Sequence, residues 1–272
     1  MNEPYVSVEE LAGRIADGSL VALPPDYSLV AMAAVRALIR REARDLHVLG
    51  VPVAGFPADL LIGAGSVGTI ETSAVSLGEN GFAPSFTRAA KAGTVEVRDA
   101  TCPAIHTALQ ASEKGVPFMP LRGILGSDLL AHRPDWRVID NPFEADDPIV
   151  LLPAIAPDVA LFHARFGDAA GNVWVGRRRE LMTIAHAAKA TLVTVEEVRA
   201  GNLLDDEVMA PGTLSGVYVS ALAEAPKGTW PLGLMNLYEP DAAHLAEYAH
   251  LAKTPEGFAQ YLERHVLGER GA

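Results

Sequence analysis

Short runs of branched apolar residues alternate with stretches of helical periodicity along most of this chain, and that alternation leaves few folds open. Residues 19–23 and Leu46–Gly50 read as brief buried strands, with a helix predicted over residues 28–41 between them. That helix puts Leu29, Met32, Ala33, Leu38 and Ile39 on one face and Arg36, Arg40 and Arg44 off it. Ser7 and Glu10 form a capping box, with Val6 and Leu11 as its hydrophobic staple, which predicts a first helix over residues 8–18. The pattern continues with strands at 69–75 and 95–97, and helices at 84–92 and 101–113. Residues 158–164 and 190–195 are rich in the branched side chains of buried strands, and 167–172 has turn composition. Helices over 241–251 and 255–266 close the chain, the second opened by Thr254 as cap and Pro255 as first helical residue. The expectation is an α/β fold, a mostly parallel sheet covered by helices, in one domain over residues 1–272. There is no internal repeat, and the proline-rich stretch 134–157 reads as irregular surface structure, the one seam in the chain.

Composition narrows the function classes. A net charge of −12 repels polyphosphate, so nucleic acid and anionic membranes are disfavoured, and any anionic ligand must be held by local donors. The single cysteine, Cys102, excludes an internal disulfide framework and a cysteine-rich zinc site and fits a reducing compartment. Met1-Asn2-Glu3-Pro4 lacks the pattern of a secretory leader, and no apolar run approaches the roughly 20 residues of a membrane helix. The expectation is a soluble, cytoplasmic protein.

Several motifs fail on context. Gly63-Ala64-Gly65-Ser66-Val67-Gly68 matches the dinucleotide pattern in letters, but a strand rather than a helix is predicted after it, so no helix N-terminus faces a pyrophosphate. Ser66 in the same stretch is only a frame-shifted fragment of a serine-nucleophile elbow. The eight histidines contain no His-x-x-x-His pair, and His106, His163 and His186 stand among apolar neighbours, so no metal is expected. Ser76-Leu77-Gly78-Glu79-Asn80-Gly81-Phe82 is different: a carboxylate on a turn just beyond a buried strand, where backbone N–H groups can face a reacting carbonyl. By composition alone, Glu-Asn-Gly is equally an ordinary turn.

Glu79-Asn80-Gly81 is similar to the Ser-Glu-Asn-Gly signature of the catalytic glutamate in family I coenzyme A transferases. His163-Ala164, Asp168 and Gly171-Asn172 resemble that family's His-Ala…Asp…Gly-Asn segment, and residues 188–198 resemble its Val-Glu-Glu strand. Ala210-Pro211-Gly212, Ala223 to Gly228, Ala31 to Leu46, Leu121-Arg122-Gly123 and the tail from Tyr238 to Leu267 also resemble the family. The resemblance covers nearly the whole chain, in order, and is nearest to the A-type, or alpha, subunits of the glutaconate-type branch.

The resemblance implies a fold of the NagB/RpiA/CoA-transferase type and an active site at the interface of two similar halves. The partner would be a B-type subunit in a hetero-oligomer, or a second copy in a homo-oligomer. It also implies ping-pong chemistry. A glutamate carboxylate attacks an acyl-CoA thioester, giving an acyl-glutamyl anhydride and CoA thiolate; the thiolate then forms a glutamyl-CoA thioester that an acceptor carboxylic acid discharges. Coenzyme A is thus a substrate, and no tightly bound cofactor is expected. Carried over, Glu79 is the catalytic residue, with Asn80, Gly81, His163 and Asn172 substrate-binding and His163, Asp168 and Asn172 fixing a turn beside the site. Arg177 and Arg178, in the densest basic cluster, would hold the phosphates of CoA.

Three departures keep alternatives open. In glutaconate-type enzymes the B-type subunit carries the nucleophile, so Glu79 is either catalytic or lines a partner's site in a non-catalytic A-type or thioester-binding chain. Gly78 stands where the signature has serine, and Leu23-Pro24-Pro25-Asp26-Tyr27 replaces the family's glycine-rich loop, removing N–H donors. A related subset opens rings of CoA thioesters by hydrolysis with an acidic residue of the A-like subunit. Cys102 stands at that place here, with Asp99 the neighbouring acid; Cys102 itself is expected to pack beside a helix start.

Overall fold

The computed structural model describes residues 5–268; Met1 to Pro4, on which the expectation about a secretory leader rests, lie outside them. Twelve strands and nine α-helices follow one another among these residues. The strands are β1 (Leu20–Leu23), β2 (Leu46–Gly50), β3 (Val67–Thr72), β4 (Glu96–Asp99), β5 (Phe118–Leu121), β6 (Arg137–Asp140), β7 (Pro148–Pro153), β8 (Val159–Asp168), β9 (Val173–Trp174), β10 (Ala190–Arg199), β11 (Thr213–Leu214) and β12 (Ala221–Glu224). The helices are α1 (Val8–Gly13), α2 (Met32–Arg40), α3 (Phe56–Gly63), α4 (Pro84–Ala92), α5 (Cys102–Glu113), α6 (Leu129–His132), α7 (Arg179–Ala187), α8 (Ala242–Leu251) and α9 (Pro255–Leu262).

Seven strands form a wholly parallel sheet in the order β12-β10-β8-β1-β2-β3-β4, and β9 and β11 extend it by antiparallel pairing beyond β8. The α/β expectation, a mostly parallel sheet under helices, matches this architecture. Residues of α1, α2, α3, α8 and α9 pack one apolar core against one face, and α5, α7 and β7 pack a second against the other. Strands buried on both faces need continuous apolar runs, and β8 supplies one from Val159 to Ala164, interrupted only by the buried His163.

Chain order reverses between β1 and β8. From β1 the chain steps outward to β4, and from β8 it steps the other way to β12, so the loops leaving β1 and β8 diverge and open a crevice at the C-terminal edge.

The capping box forms as read, with Ser7 Oγ accepting from the Glu10 amide and Glu10 accepting from the Ser7 amide, but α1 stops at Gly13 rather than residue 18. Residues 28–31 lie outside α2, and β3 begins two residues before the expected strand. The glycine pattern lies in the reverse of dinucleotide order: α3 ends at Gly63 and β3 follows from Val67, so no helix opens after it. A side chain at Gly63 would collide with the Phe258 ring, which accounts for the glycine.

Residues 134–157 require a correction. They contain β6 and β7, which with β5 make an antiparallel sheet in the order β5-β7-β6. Two of the five prolines in the stretch, Pro148 and Pro153, stand at the two ends of β7, and Ile149 to Leu152 between them are a strand run.

Asp59, wholly buried in α3, ties three helices together. Its carboxylate accepts from the Tyr248 hydroxyl of α8 at 2.6 Å and the Phe86 amide of α4 at 2.7 Å. Burial pushes its pKa up, against the pull of these donors. Tyr248→Phe removes the hydroxyl and is expected to cost about 1–3 kcal/mol of stability, measured by urea unfolding with an unchanged m-value.

Candidate functional site

Around the crevice, loops at the C-terminal ends of β1, β2, β3 and β12, together with the start of α8, line a cleft of about 730 Å³, among its residues Asp26, Glu79, Asn80, Leu232, Glu239 and, from α8, Leu245. Glu79 sits in a single 3₁₀ turn, Gly78–Asn80, beyond β3. The turn is closed by the Leu77 amide on the Gly81 carbonyl (2.9 Å) and the Gly81 amide on the Gly78 carbonyl (3.0 Å), and pinned by the buried Leu77 side chain. Gly78 and Gly81 have φ of 59° and 89°, values that a side chain disfavours, so the glycine in the signature's serine position belongs to this turn geometry. Glu79 is exposed, and among the described residues its carboxylate makes no hydrogen bond or ion pair. Gly81 shapes the turn but lies outside the cleft lining.

Asp26, from the proline loop, faces the same cleft. Both of its oxygens lie 3.0 Å from the Phe56 amide at the start of α3, so the loop with fewer donors instead supplies an acceptor that caps a helix. Burial, opposed by that amide and aided by Asp59, pushes its pKa up to about 6.

A second chamber, of about 480 Å³, shares Tyr27 and Gly233 with the cleft. Arg165 of β8 and Arg177 and Arg178 beyond β9 converge on it beside Trp174. Arg165 carries a buried Nε with no hydrogen-bond partner, its guanidinium 5.0 Å from the Phe166 ring centre. Arg178 stands 5.6 Å over the Tyr27 ring, and Arg177 reaches the Met235 sulfur at 3.5 Å. Among the described residues none of the three pairs with a carboxylate, although the chain carries 34 acidic residues against 22 basic ones. Three guanidinium groups without a carboxylate partner make this chamber electropositive. Sequence reasoning finds Arg177 and Arg178 but misses Arg165; the available signal was an arginine inside an otherwise apolar strand run. Arg179 lies outside this chamber, beside His106 in an adjoining hollow.

His163, by contrast, is fully buried. Its Nδ1 is 2.9 Å from Thr194 Oγ1 and its Nε2 is 3.3 Å from Glu196, which also accepts from the Lys227 amide (2.8 Å) and the Tyr238 hydroxyl (3.1 Å). Burial lowers the His163 pKa; at Glu196 burial acts upward, but these donors together hold it below the usual carboxylate range. The network anchors the loop after β12, and His163 does not itself line the cleft. His186 pairs with Glu113 at 3.3 Å on the surface.

Asp168 is also fully buried and accepts from the Ala170, Asn172 and Leu203 amides and the Asn172 side chain, at 2.8–3.0 Å. Asn172 completes the knot by donating to Asn202 Oδ1 (2.9 Å) and accepting from the Gly216 amide (2.9 Å). Both N–H donors of the Asn172 amide and its carbonyl oxygen are engaged within the protein, so its geometry is that of a loop clamp.

Asp99 and Cys102 lie elsewhere. Asp99 is an exposed residue at the end of β4, and exposed Cys102 opens α5 with its sulfur 3.1 Å from Ser73 Oγ; neither lines the cleft.

A parallel α/β sheet with a cleft and an arginine-lined chamber at its switch point has the architecture in which open α/β sheets commonly bind small molecules. The family model for coenzyme A transferase matches residues 5–219, and the chain belongs to the coenzyme A transferase family, a family of enzymes. The A-type subunit of glutaconate CoA-transferase from Acidaminococcus fermentans is 31% identical over 256 residues, 86% of this chain and 78% of that one. The crystal structure of glutaconate coenzyme A-transferase from the same organism superposes with a TM-score of 0.92, at 26% identity over 98% of this chain and 90% of that one. An uncharacterized protein of Archaeoglobus fulgidus is 31% identical over 98% of this chain, which spans 60% of that protein's length. No helix among the described residues is long and apolar enough to cross a membrane.

Proposed function

We propose that this chain is the A-type subunit of a CoA-transferase and that Glu79 carries the glutamyl-CoA thioester. The observation that supports this most is the free carboxylate of Glu79 on the cleft wall: a structural glutamate in a turn is ordinarily tied off by a cap or an ion pair, and this one is not, among the described residues. The Glu79 carboxylate attacks the acyl-CoA carbonyl and expels CoA thiolate, leaving a mixed anhydride. The thiolate returns to the glutamyl carbonyl and expels the first carboxylate. The acceptor carboxylate then attacks the glutamyl thioester, and CoA thiolate completes the transfer by attacking the new acyl carbonyl, which frees Glu79. Every step exchanges one acyl bond for another, so the thioester's free energy is kept. The side-chain N–H groups of Asn80 are assigned to the oxyanions, since its backbone amide is used on the Leu77 carbonyl (3.1 Å), with His163 anchoring the loop through Glu196 and Asn172 holding the loop that leads to the arginines.

We assign the arginine chamber to the phosphates of CoA, with Arg165 added to Arg177 and Arg178. A B-type subunit would close the open side of the cleft and exclude water, which otherwise hydrolyses the thioester. The position of Asp99, away from the cleft, weighs against ring-opening hydrolysis through that residue.

The test is intact mass of the chain, alone and with a co-encoded B-type partner, after incubation with acyl-CoAs and borohydride. Conversion of Glu79 to the alcohol establishes the nucleophile; modification on the partner alone reassigns Glu79 to lining the site. For the chamber, Arg165→Met is expected to raise the KM for acyl-CoA by roughly 10- to 100-fold with kcat little changed, because charge-assisted contacts contribute about 1.5–3 kcal/mol. Steady-state kinetics at two salt concentrations checks it, and an unchanged KM removes Arg165 from the assignment.

A further inference from the structure

We propose that His244, Glu247 and His265 form a binding site for one divalent transition-metal ion of the zinc class, between α8 and the turn that follows α9. One ligand atom from each of the three lies within 4.8 Å of the others, and His265 Nε2 is 3.5 Å from Glu247 Oε2. Tetrahedral zinc with bonds near 2.0–2.1 Å separates its ligands by about 3.4 Å, so that pair already has the required spacing. A pair at the 4.8 Å limit must close by about 1.4 Å, and Glu247, with 33% of its side chain exposed, is the ligand with most freedom to move.

Two observations besides the clustering point to a ligand. His265 Nε2 is buried without a hydrogen-bond partner, an arrangement that costs free energy unless something binds there. His265 also sits in a π-turn, Glu263–Leu267, that follows α9. The wider turn offsets the side chains that follow it, as π-bulges do at functional sites.

The surroundings hold the three ligands in place. The Tyr261 hydroxyl contacts His244 Nε2 at 2.6 Å and fixes that ring, and Trp230 packs 4.3 Å from it, between ring centres. Of the adjacent cations, Arg264 pairs with the other oxygen of Glu247 at 2.5 Å and Arg36 donates to the Trp230 carbonyl at 2.7 Å. The sequence conceals this set because His244 and His265 come from different helical segments, with the chain reversing between them. A bound ion would clamp α8 to the C-terminal turn.

The experiment is calorimetric titration of the chelator-treated protein, with its partner subunit if one co-purifies, using zinc sulfate, and optical titration with cobalt(II) chloride. One equivalent is expected to bind with micromolar or tighter affinity, to give the strong visible bands of tetrahedral cobalt, and to raise the thermal midpoint. His265→Gln and Glu247→Gln are each expected to weaken binding about tenfold or more while leaving the metal-free thermal midpoint near that of the parent, since both side chains are partly exposed. No binding by the parent protein, or binding that survives both substitutions, overturns the proposal.

Discussion

Glu79→Gln is expected to abolish CoA transfer, by on the order of 10⁴-fold or more in kcat, while leaving the fold untouched. The amide keeps the size and shape of the side chain but cannot form the anhydride, so the covalent route is closed rather than slowed. At about 1.36 kcal/mol per tenfold, that loss exceeds about 5 kcal/mol in the barrier. Stability should move by no more than about 0.5 kcal/mol, because Glu79 is exposed and its carboxylate has no partner to lose among the described residues. Glu79→Asp is the informative companion: it keeps the nucleophile but withdraws it by one methylene, and misplacement of about 1 Å costs roughly 10²-fold. Steady-state transfer assays on both variants, beside urea unfolding, check the pair. If Glu79→Gln retains full transfer, the nucleophile belongs to another chain and Glu79 only lines its site.

The second large effect is on the fold. Asp168→Ala is expected to destabilise the protein by about 3–5 kcal/mol, since three amide N–H groups and the Asn172 side chain lose their buried acceptor at once. Against a typical total of about 5–15 kcal/mol this is a large share. The loop it clamps runs on through β9 to Arg177 and Arg178, so at a temperature where the variant is still folded the KM for acyl-CoA should rise as well. Asp168→Asn restores part of the acceptor set and should fall between. Chemical unfolding followed by kinetics separates the two effects; a cost below about 1 kcal/mol means the loop finds other acceptors.

Elements whose signals are local were legible in the chain. The Ser7 and Glu10 capping box, the Thr254 cap with Pro255, and the branched runs of β8 and β10 each follow from neighbours in sequence, and each is present. The turn carrying Glu79 was legible for the same reason, since two glycines flank it at positions where φ is positive. The elements missed are those whose stability comes from distant partners. The three-stranded sheet of β5, β6 and β7 is held by pairing between residues as far apart as Phe118 and Pro153 and by packing on α5, which outweigh the proline content that read as irregular.

Periodicity and turn chemistry act over a few residues, so the α/β class and the seat of the Glu79 carboxylate, on a turn beyond a buried strand, could be read from the chain without coordinates. The family likeness could be read there too, and the coenzyme A transferase match bears it out. That Arg165 joins Arg177 and Arg178 beside the cleft, and that both groups of the Asn172 amide are used inside the protein, emerged only from the folded arrangement. The same holds for Asp26, which the fold brings into the Glu79 cleft, and for Asp99 and Cys102, which it places away from it. Strand order reverses between β1 and β8, and this gathers loops far apart in the chain at one sheet edge; which side chains meet there depends on how the strands are ordered, a property that no local stretch of residues encodes.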